Sequence, residues 1–147
     1  TIYPLVTGVQ TCALPISNIL VYAHDRSASL KHIRARQLIQ DLWDSGNGCT
    51  SIQVLQEFYV TVTRKVTHPL SPEIAAQHMA DLAAWKIHRP HIGDLLYAIQ
   101  IQSRFQLSFW DAMIIASANQ LECMTVWSED LSDGQVYDRV RVRNPLR

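Results

Sequence analysis

SFWDAMIIASANQLECMTVWSEDLSDG, Ser108–Gly134, carries a helix, a strand and the turn after it in one run. Ser108 and Asp111 have the S-x-x-D spacing of a helix-opening capping box. The residues after Asp111 are apolar nearly all round, which predicts a helix in the middle of a domain rather than on its surface. Cys123–Trp127 is then a β-type run, and Ser128-Glu129-Asp130 is the polar turn that ends it.

Outward from this run, the chain repeats the same alternation. Leu30, Ile33, Leu38, Ile39 and Leu42 fall on one face of a helix over Ser29–Asp44, stopped by Gly46. Cys49-Thr50-Ser51 is a strand-to-helix junction, with Ser51 capping a helix that buries Val54, Leu55, Phe58 and Val62 and carries Glu57 beside that stripe. Ser71-Pro72-Glu73 opens a third helix running to about Trp85. Lys86–His88 is a short edge strand, Gly93-Asp94 begins a helix with Leu96, Ile99 and Phe105, and Val140–Val142 alternates like a late edge strand. Strands alternating with helices predict an α/β domain, its mainly parallel sheet covered on both faces.

The chain has 147 residues, 48% hydrophobic and 18% charged, which predicts one folded domain and excludes a disordered chain. Thirteen basic against thirteen acidic side chains give no global positive field, so nucleic-acid contact needs a local patch. Cys12, Cys49 and Cys123 are odd in number and widely spaced, fitting neither a disulfide framework nor zinc-ligand pairs, and point to a reducing cytoplasm. No apolar run reaches membrane-spanning length, and no export signal or membrane partner is expected.

In open α/β sheets the functional crevice lies beyond the carboxyl ends of the strands, which singles out Glu57, Asp111 and Asp130. Each has an ordinary alternative. Asp111 caps its helix, Glu57 is a solvated helix residue, and Asp130 is a turn acid bonded to nearby amides.

The words SNILVYAHD, SIQVLQEFYV, SFWDAMIIASA and VWSEDLSDG, taken in order and spacing from about Ser17 to the C-terminus, resemble the PIN-domain ribonucleases, and most closely the VapC-like toxins of bacterial type II toxin–antitoxin pairs. The resemblance implies a three-layer α/β/α fold with four to five strands. It also implies that Glu57, Asp111 and Asp130 are catalytic residues that bind Mg²⁺ or Mn²⁺, with Asn18, Ser128 and Asp133 in support. Hard divalent cations prefer such carboxylate oxygens, and a bound one activates water for hydrolysis of an RNA phosphodiester. The implied partners are a tRNA, rRNA or mRNA substrate, a cognate antitoxin and a second copy in a homodimer. Asn18 after a strand is equally a turn residue, and Asp133 a solvated turn acid.

The family's first acid, an aspartate before Ser/Thr-Asn, is absent: Ile16 stands there. Isoleucine cannot bind Mg²⁺, so this chain is expected to be impaired. The alternative function is a catalytically inactive module that binds RNA or the antitoxin; a DNA-directed nuclease would share the metal chemistry. VTGVQTCALPI, Val6–Ile16, resembles a common sequencing-library adapter translated in one frame. Residues 1–16 are accordingly expected to be non-native and residues 17–147 to form the PIN domain, with the first strand compromised, since Pro15 opposes central pairing. His88-Arg89-Pro90-His91 reads as loop without metal partners, and Arg34, Arg36, Arg64 and Lys65 as phosphate contacts or exposed helix charges.

Overall fold

The computed structural model describes residues 12–147, so residues 1–11, which include most of the adapter-like segment, lie outside it and Cys12–Ile16 lie within it. The elements are β1 (Ala13–Pro15), α1 (Ser17–His24), α2 (Leu30–Ser45), β2 (Cys49–Ser51), α3 (Ile52–Arg64), α4 (Pro72–Leu82), β3 (Lys86–His88), α5 (Ile92–Phe105), α6 (Phe109–Gln120), β4 (Thr125–Trp127), β5 (Val136–Tyr137) and β6 (Val140–Arg143). The α/β class and the mainly parallel sheet are as expected: among the described residues the six short strands form one four-stranded sheet and one two-stranded parallel sheet. None of the described helices is long and apolar enough to cross a membrane.

β1, β4 and β6 run parallel, with Leu14 opposite Val126 and Val126 opposite Val142, and β5 lies antiparallel on β6. β2 and β3 pair parallel, Thr50 opposite Ile87. The two sets meet at a single parallel bridge, Ala13 to Gly48, where the Ala13 N–H donates to Asn47 O at 2.8 Å. Pro15 accounts for the break. Alternate residues of a strand face the same neighbour, and position 15, the next to face β2, has no N–H to give. The first strand is therefore complete toward β4 and cut short toward β2, and all three of its residues are buried.

Val140–Val142 is not an edge. β6 lies between β4 and β5, burying Val140 and Val142 while Arg141 and Arg143 face solvent, and the two-residue β5 takes the edge. The sequence pattern of β6 shows one solvated face, which an interior strand of a partly covered sheet shares with an edge strand.

The helix boundaries follow local chemistry. Gly46 ends α2 in the left-handed region at φ 73°, its N–H on Leu42 O. The Ser51, Ser71 and Ser108 hydroxyls accept from the N–H three residues on, at 3.2, 3.2 and 3.1 Å, opening α3, α4 and α6. α4 stops at Leu82, short of the expected Trp85. On α2 only part of the expected stripe is covered: Ile39 and Leu42 are buried, whereas Leu30 and Ile33 are 56% and 63% exposed. The first turn of α2 meets α1 and the turn after β4 through Lys31 and His32 and leaves Leu30 and Ile33 to solvent. The core joins Leu14, Val126, Val140 and Val142 of the sheet to Ile19, Leu20, Phe58, Ile101 and Ile115 of the helices.

His88 is not loop: it ends β3, is buried, and has partners on both ring nitrogens, the Ser117 hydroxyl at 2.7 Å and Asp94 Oδ2 at 3.0 Å. Asp94 also accepts from the His91 N–H at 2.8 Å. Burial pushes the Asp94 carboxyl up, but the His91 N–H and the His88 ring outweigh it and hold the group below its ordinary value. The Ser117–His88–Asp94 chain resembles a catalytic triad, yet Ser117 is fully buried within α6, so the network pins β3 and α5 to α6.

Asp94→Ala strands these donors and is expected to cost about 3 kcal/mol in denaturant unfolding. Because the folded pKa is lowered, the stabilisation is present above the unfolded carboxylate pKa and is lost as pH falls through the folded value. The variant should lack that acid-side loss. Gly48 abuts the Trp85 indole, where an added Cβ would meet ring carbons at 2.5–2.7 Å. Trp85 is itself buried and packed on Trp43, so Gly48→Ala is expected to cost about 1–3 kcal/mol, read from the urea midpoint.

Candidate active site

The carboxyl ends of β1 and β4 lie side by side, because Pro15 pairs with Trp127 and the Ile16 N–H donates to Trp127 O at 3.0 Å. The residues just past each strand are therefore brought together. After β1, Ser17 and Asn18 open α1; after β4 come Ser128, Glu129 and Asp130. The Ser17 hydroxyl donates to Glu57 Oε1 at 3.1 Å, and the Asn18 amide donates to Asp130 Oδ2 at 3.0 Å. Ile16 stands directly before both donors and is buried.

Asp111 joins from the first turn of α6. Ser108 accepts from the Asp111 N–H, but among the described residues no bond returns from the Ser108 N–H to the Asp111 carboxylate. The cap uses the Asp111 backbone and leaves its side chain free. Asp94 differs: in the corresponding position of α5 its carboxylate accepts from the His91 N–H. Gln53 ties α3 to α6, its amide donating to Glu57 Oε2 at 3.2 Å and to Trp110 O at 3.0 Å. Glu57 and the start of α6 are thus joined through one side chain.

Of the supporting residues, Ser128 is buried and shapes the turn, its hydroxyl accepting from the N–H groups of Asp130 at 3.0 Å and Leu131 at 3.2 Å. Asp133 is held elsewhere: it accepts from the Asn144 N–H at 2.9 Å and faces Arg147 at 3.7 Å. Sequence reasoning missed Ser17, Gln53 and the group Tyr22–Glu129–Lys31. Gln53 was within reach, since it precedes Glu57 by one helical turn. Glu129 accepts from the Tyr22 hydroxyl and from Lys31 Nζ, the latter at 3.0 Å. Burial pushes the Glu129 carboxyl up, and these two donors more than offset it, holding it ionised below its ordinary value.

The site is rich in acceptors and poor in donors. Asn18 Oδ1 and Gln53 Oε1 are buried with no partner among the described residues, although both amide nitrogens are engaged. Burial, then the nearby charges of Glu129 and Asp111, push the Asp130 carboxyl above its ordinary value. Unpartnered oxygens among carboxylates fit a hard cation, which would take Glu57, Asp111 and Asp130 as ligands. The three acids do not all lie within 4.8 Å of one another; among the described residues the set of three ligand atoms that does is Cys12, Cys49 and Cys123. Glu57 also lines a cleft of about 270 Å³ along α3 with Gln56, Val60, Thr61 and Lys65.

Residues 17–134 match the family model described as the PIN domain. No curated protein sequence matches the chain. Among solved structures, a toxin–antitoxin complex from Klebsiella pneumoniae superposes with TM-score 0.67 at 16% identity, over 90% of this chain and 97% of the other. VapC20 of Mycobacterium tuberculosis, described as a sarcin–ricin loop cleaving toxin, gives 0.62 at 18% identity over 80% and 91%. DNA-bound VapBC from Salmonella typhimurium gives 0.64 at 14% identity over 92% and 98%. At these identities the likeness is one of fold.

In metal-free protein, Asp130→Asn should relieve the crowding of carboxylates. With its folded pKa raised, Asp130 contributes stability that is full below the unfolded carboxylate pKa and is lost as pH rises through the folded value. The variant is therefore expected to match or exceed the parent at neutral pH in EDTA, with the difference closing below about pH 4, in paired denaturant melts.

Proposed function

The chain belongs to the PIN-domain family, and from that membership we propose that its intact form is a Mg²⁺- or Mn²⁺-dependent endoribonuclease, the toxin of a toxin–antitoxin pair. The observation that carries this reading is that Ser17 and Asn18, directly after Ile16, bond Glu57 and Asp130, while the Asn18 and Gln53 amide oxygens are left unpartnered among the described residues. The relatives described as toxins, one of them cleaving the sarcin–ricin loop, support RNA as the substrate class and an antitoxin as the partner. Homodimerisation and a cytoplasmic location belong to the same reading.

In this mechanism Glu57 is oriented by Ser17 and Gln53, Asp130 by Asn18, and Asp111 by the opening turn of α6. Glu57, Asp111 and Asp130 would hold a divalent cation, which when bound would acidify a water and offer counter-charge to the phosphate. Lys31 neutralises Glu129, which keeps that carboxylate from adding to the repulsion felt by the RNA backbone. The cleft from Glu57 to Lys65 offers the strand a path along α3 with a cation at its end. Ser128 acts by shaping the turn, and Asp133 remains outside this set.

Ile16 departs from the set. Mg²⁺ is commonly held by one or two carboxylates together with waters and substrate phosphates, so losing one acid weakens the site without dismantling it. We assign Ile16 to residues 1–16 as a non-native, adapter-derived segment joined to a PIN domain beginning at Ser17. A second reading, a catalytically inactive module that binds RNA or the antitoxin, is favoured by Ile16 alone.

Losing even an outer-shell partner costs a metal site about 10–100-fold, so Ile16→Asp is expected to raise Mn²⁺ affinity and RNA hydrolysis by about 100-fold or more. Glu57→Gln or Asp111→Asn in the Ile16→Asp background should remove the gain. Equal cleavage by parent and Ile16→Asp would overturn the assignment of Ile16. Absence of both metal binding and cleavage in Ile16→Asp would overturn the nuclease reading.

A further inference from the structure

The three cysteines, scattered in sequence, meet at the opposite pole of the sheet. Cys12 precedes β1, Cys49 opens β2 and Cys123 comes shortly before β4, so all three stand at the amino ends of adjacent parallel strands. Their sulfurs lie within 4.8 Å of one another. Cys49 and Cys123 are buried and Cys12 is half-buried, its thiol donating to Leu121 O at 3.3 Å. The spacing shows no ligand pair, and strand order is what gathers the three thiols.

Cys123 Sγ contacts both other sulfurs, and one sulfur can form only one disulfide bond. The Cα atoms of Cys49 and Cys123 are 7.8 Å apart, outside the span that a disulfide bridges without backbone movement, whereas those of Cys12 and Cys123, at 4.7 Å, are within it, so a disulfide could engage that pair but would leave Cys49 out. An arrangement that engages all three sulfurs together is ligation of one soft cation. Thiolates select Zn²⁺ and its congeners over Mg²⁺, and the group contains no carboxylate to favour a hard ion.

We propose that Cys12, Cys49 and Cys123 form a binding site for a single thiophilic d¹⁰ cation of the Zn²⁺ class, separate from the carboxylate site. Binding releases three thiol protons to solvent and forms three metal–sulfur bonds, with no change of oxidation state. Solvent on the Cys12 side supplies the fourth donor. Cys12 and Ile16 are four residues apart, about 13 Å along an extended strand, so the two sites sit at opposite ends of β1. The cation would tie the amino end of β1 to that of β2, beside the Ala13–Asn47 bond and at the opposite end of β1 from Pro15. Cys12 falls in the adapter-like segment, so the complete site is a property of this chain as joined, and Cys49 with Cys123 is its PIN-domain half.

The test uses the whole chain, reduced and freed of metal with EDTA, titrated with Cd²⁺ and separately with Zn²⁺. The expected result is one equivalent of Cd²⁺ bound with an ultraviolet thiolate-to-cadmium charge-transfer band, and a Tm raised by Zn²⁺. Cys12→Ala, at the least buried of the three positions, should weaken binding at least tenfold, and Cys49→Ala should remove it, both with the parent's circular dichroism. Glu57→Gln and excess Mg²⁺ should leave the band unchanged. The proposal is overturned if the reduced chain does not bind Cd²⁺, if Cys49→Ala binds as the parent does, or if thiol counting on the denatured chain, purified under reductant and alkylated before the reductant is removed, shows a Cys12–Cys123 disulfide that survived it. None of these outcomes depends on whether the chain cuts RNA.

Discussion

The parallel pairing of β1 with β4 is the contact on which the rest of the molecule depends. It buries Leu14 against Val126 and ends with the Ile16 N–H on Trp127 O. Because the strands run the same way, their carboxyl ends deliver Ser17, Asn18 and Asp130 to one place, while their amino ends deliver Cys12 and Cys123 to another. One pairing thus fixes both poles. The segment providing β1 is short and contains a proline, and it still forms this edge because Pro15 needs no N–H on the β4 side, where the following Ile16 donates instead.

Two acids in nearly identical local settings show how burial and partners separate structure from chemistry. Asp94 and Asp111 both lie in the first turn of a helix. Asp94 is buried and spends its carboxylate on His91 and His88, locking β3 and α5 to α6. Asp111 leaves its carboxylate uncommitted and close enough to Asp130 to help raise that group's pKa. Helix capping explains the first acid fully and the second only through its backbone. Glu129 makes the converse point, since its place in the Ser-Glu-Asp turn resembles that of Asp130 while Lys31 and Tyr22 consume it.

Much of the architecture was legible because it rests on short-range chemistry. Serine caps at Ser51, Ser71 and Ser108, the stop at Gly46, the apolar α6 and the β-run before Trp127 each state their own element within a few residues. The misjudged features all involve neighbours distant in the chain. Val140–Val142 alternates like an edge yet is covered by β5, and Leu30 and Ile33 continue a helical stripe past the surface that α2 meets. His88 found Ser117 twenty-nine positions away.

By itself the sequence determined the α/β alternation, the helix ends and the acids worth weighing, since capping, periodicity and turn chemistry act over three or four residues. Only the tertiary structure decided that Ser17 reaches Glu57 and Asn18 reaches Asp130, that Gln53 bridges Glu57 to α6, that Asp133 turns away, and that three widely spaced cysteines share one point. The physical reason is strand order. Residues far apart in the chain become neighbours when parallel strands align their ends, and that alignment is set by packing of the whole core.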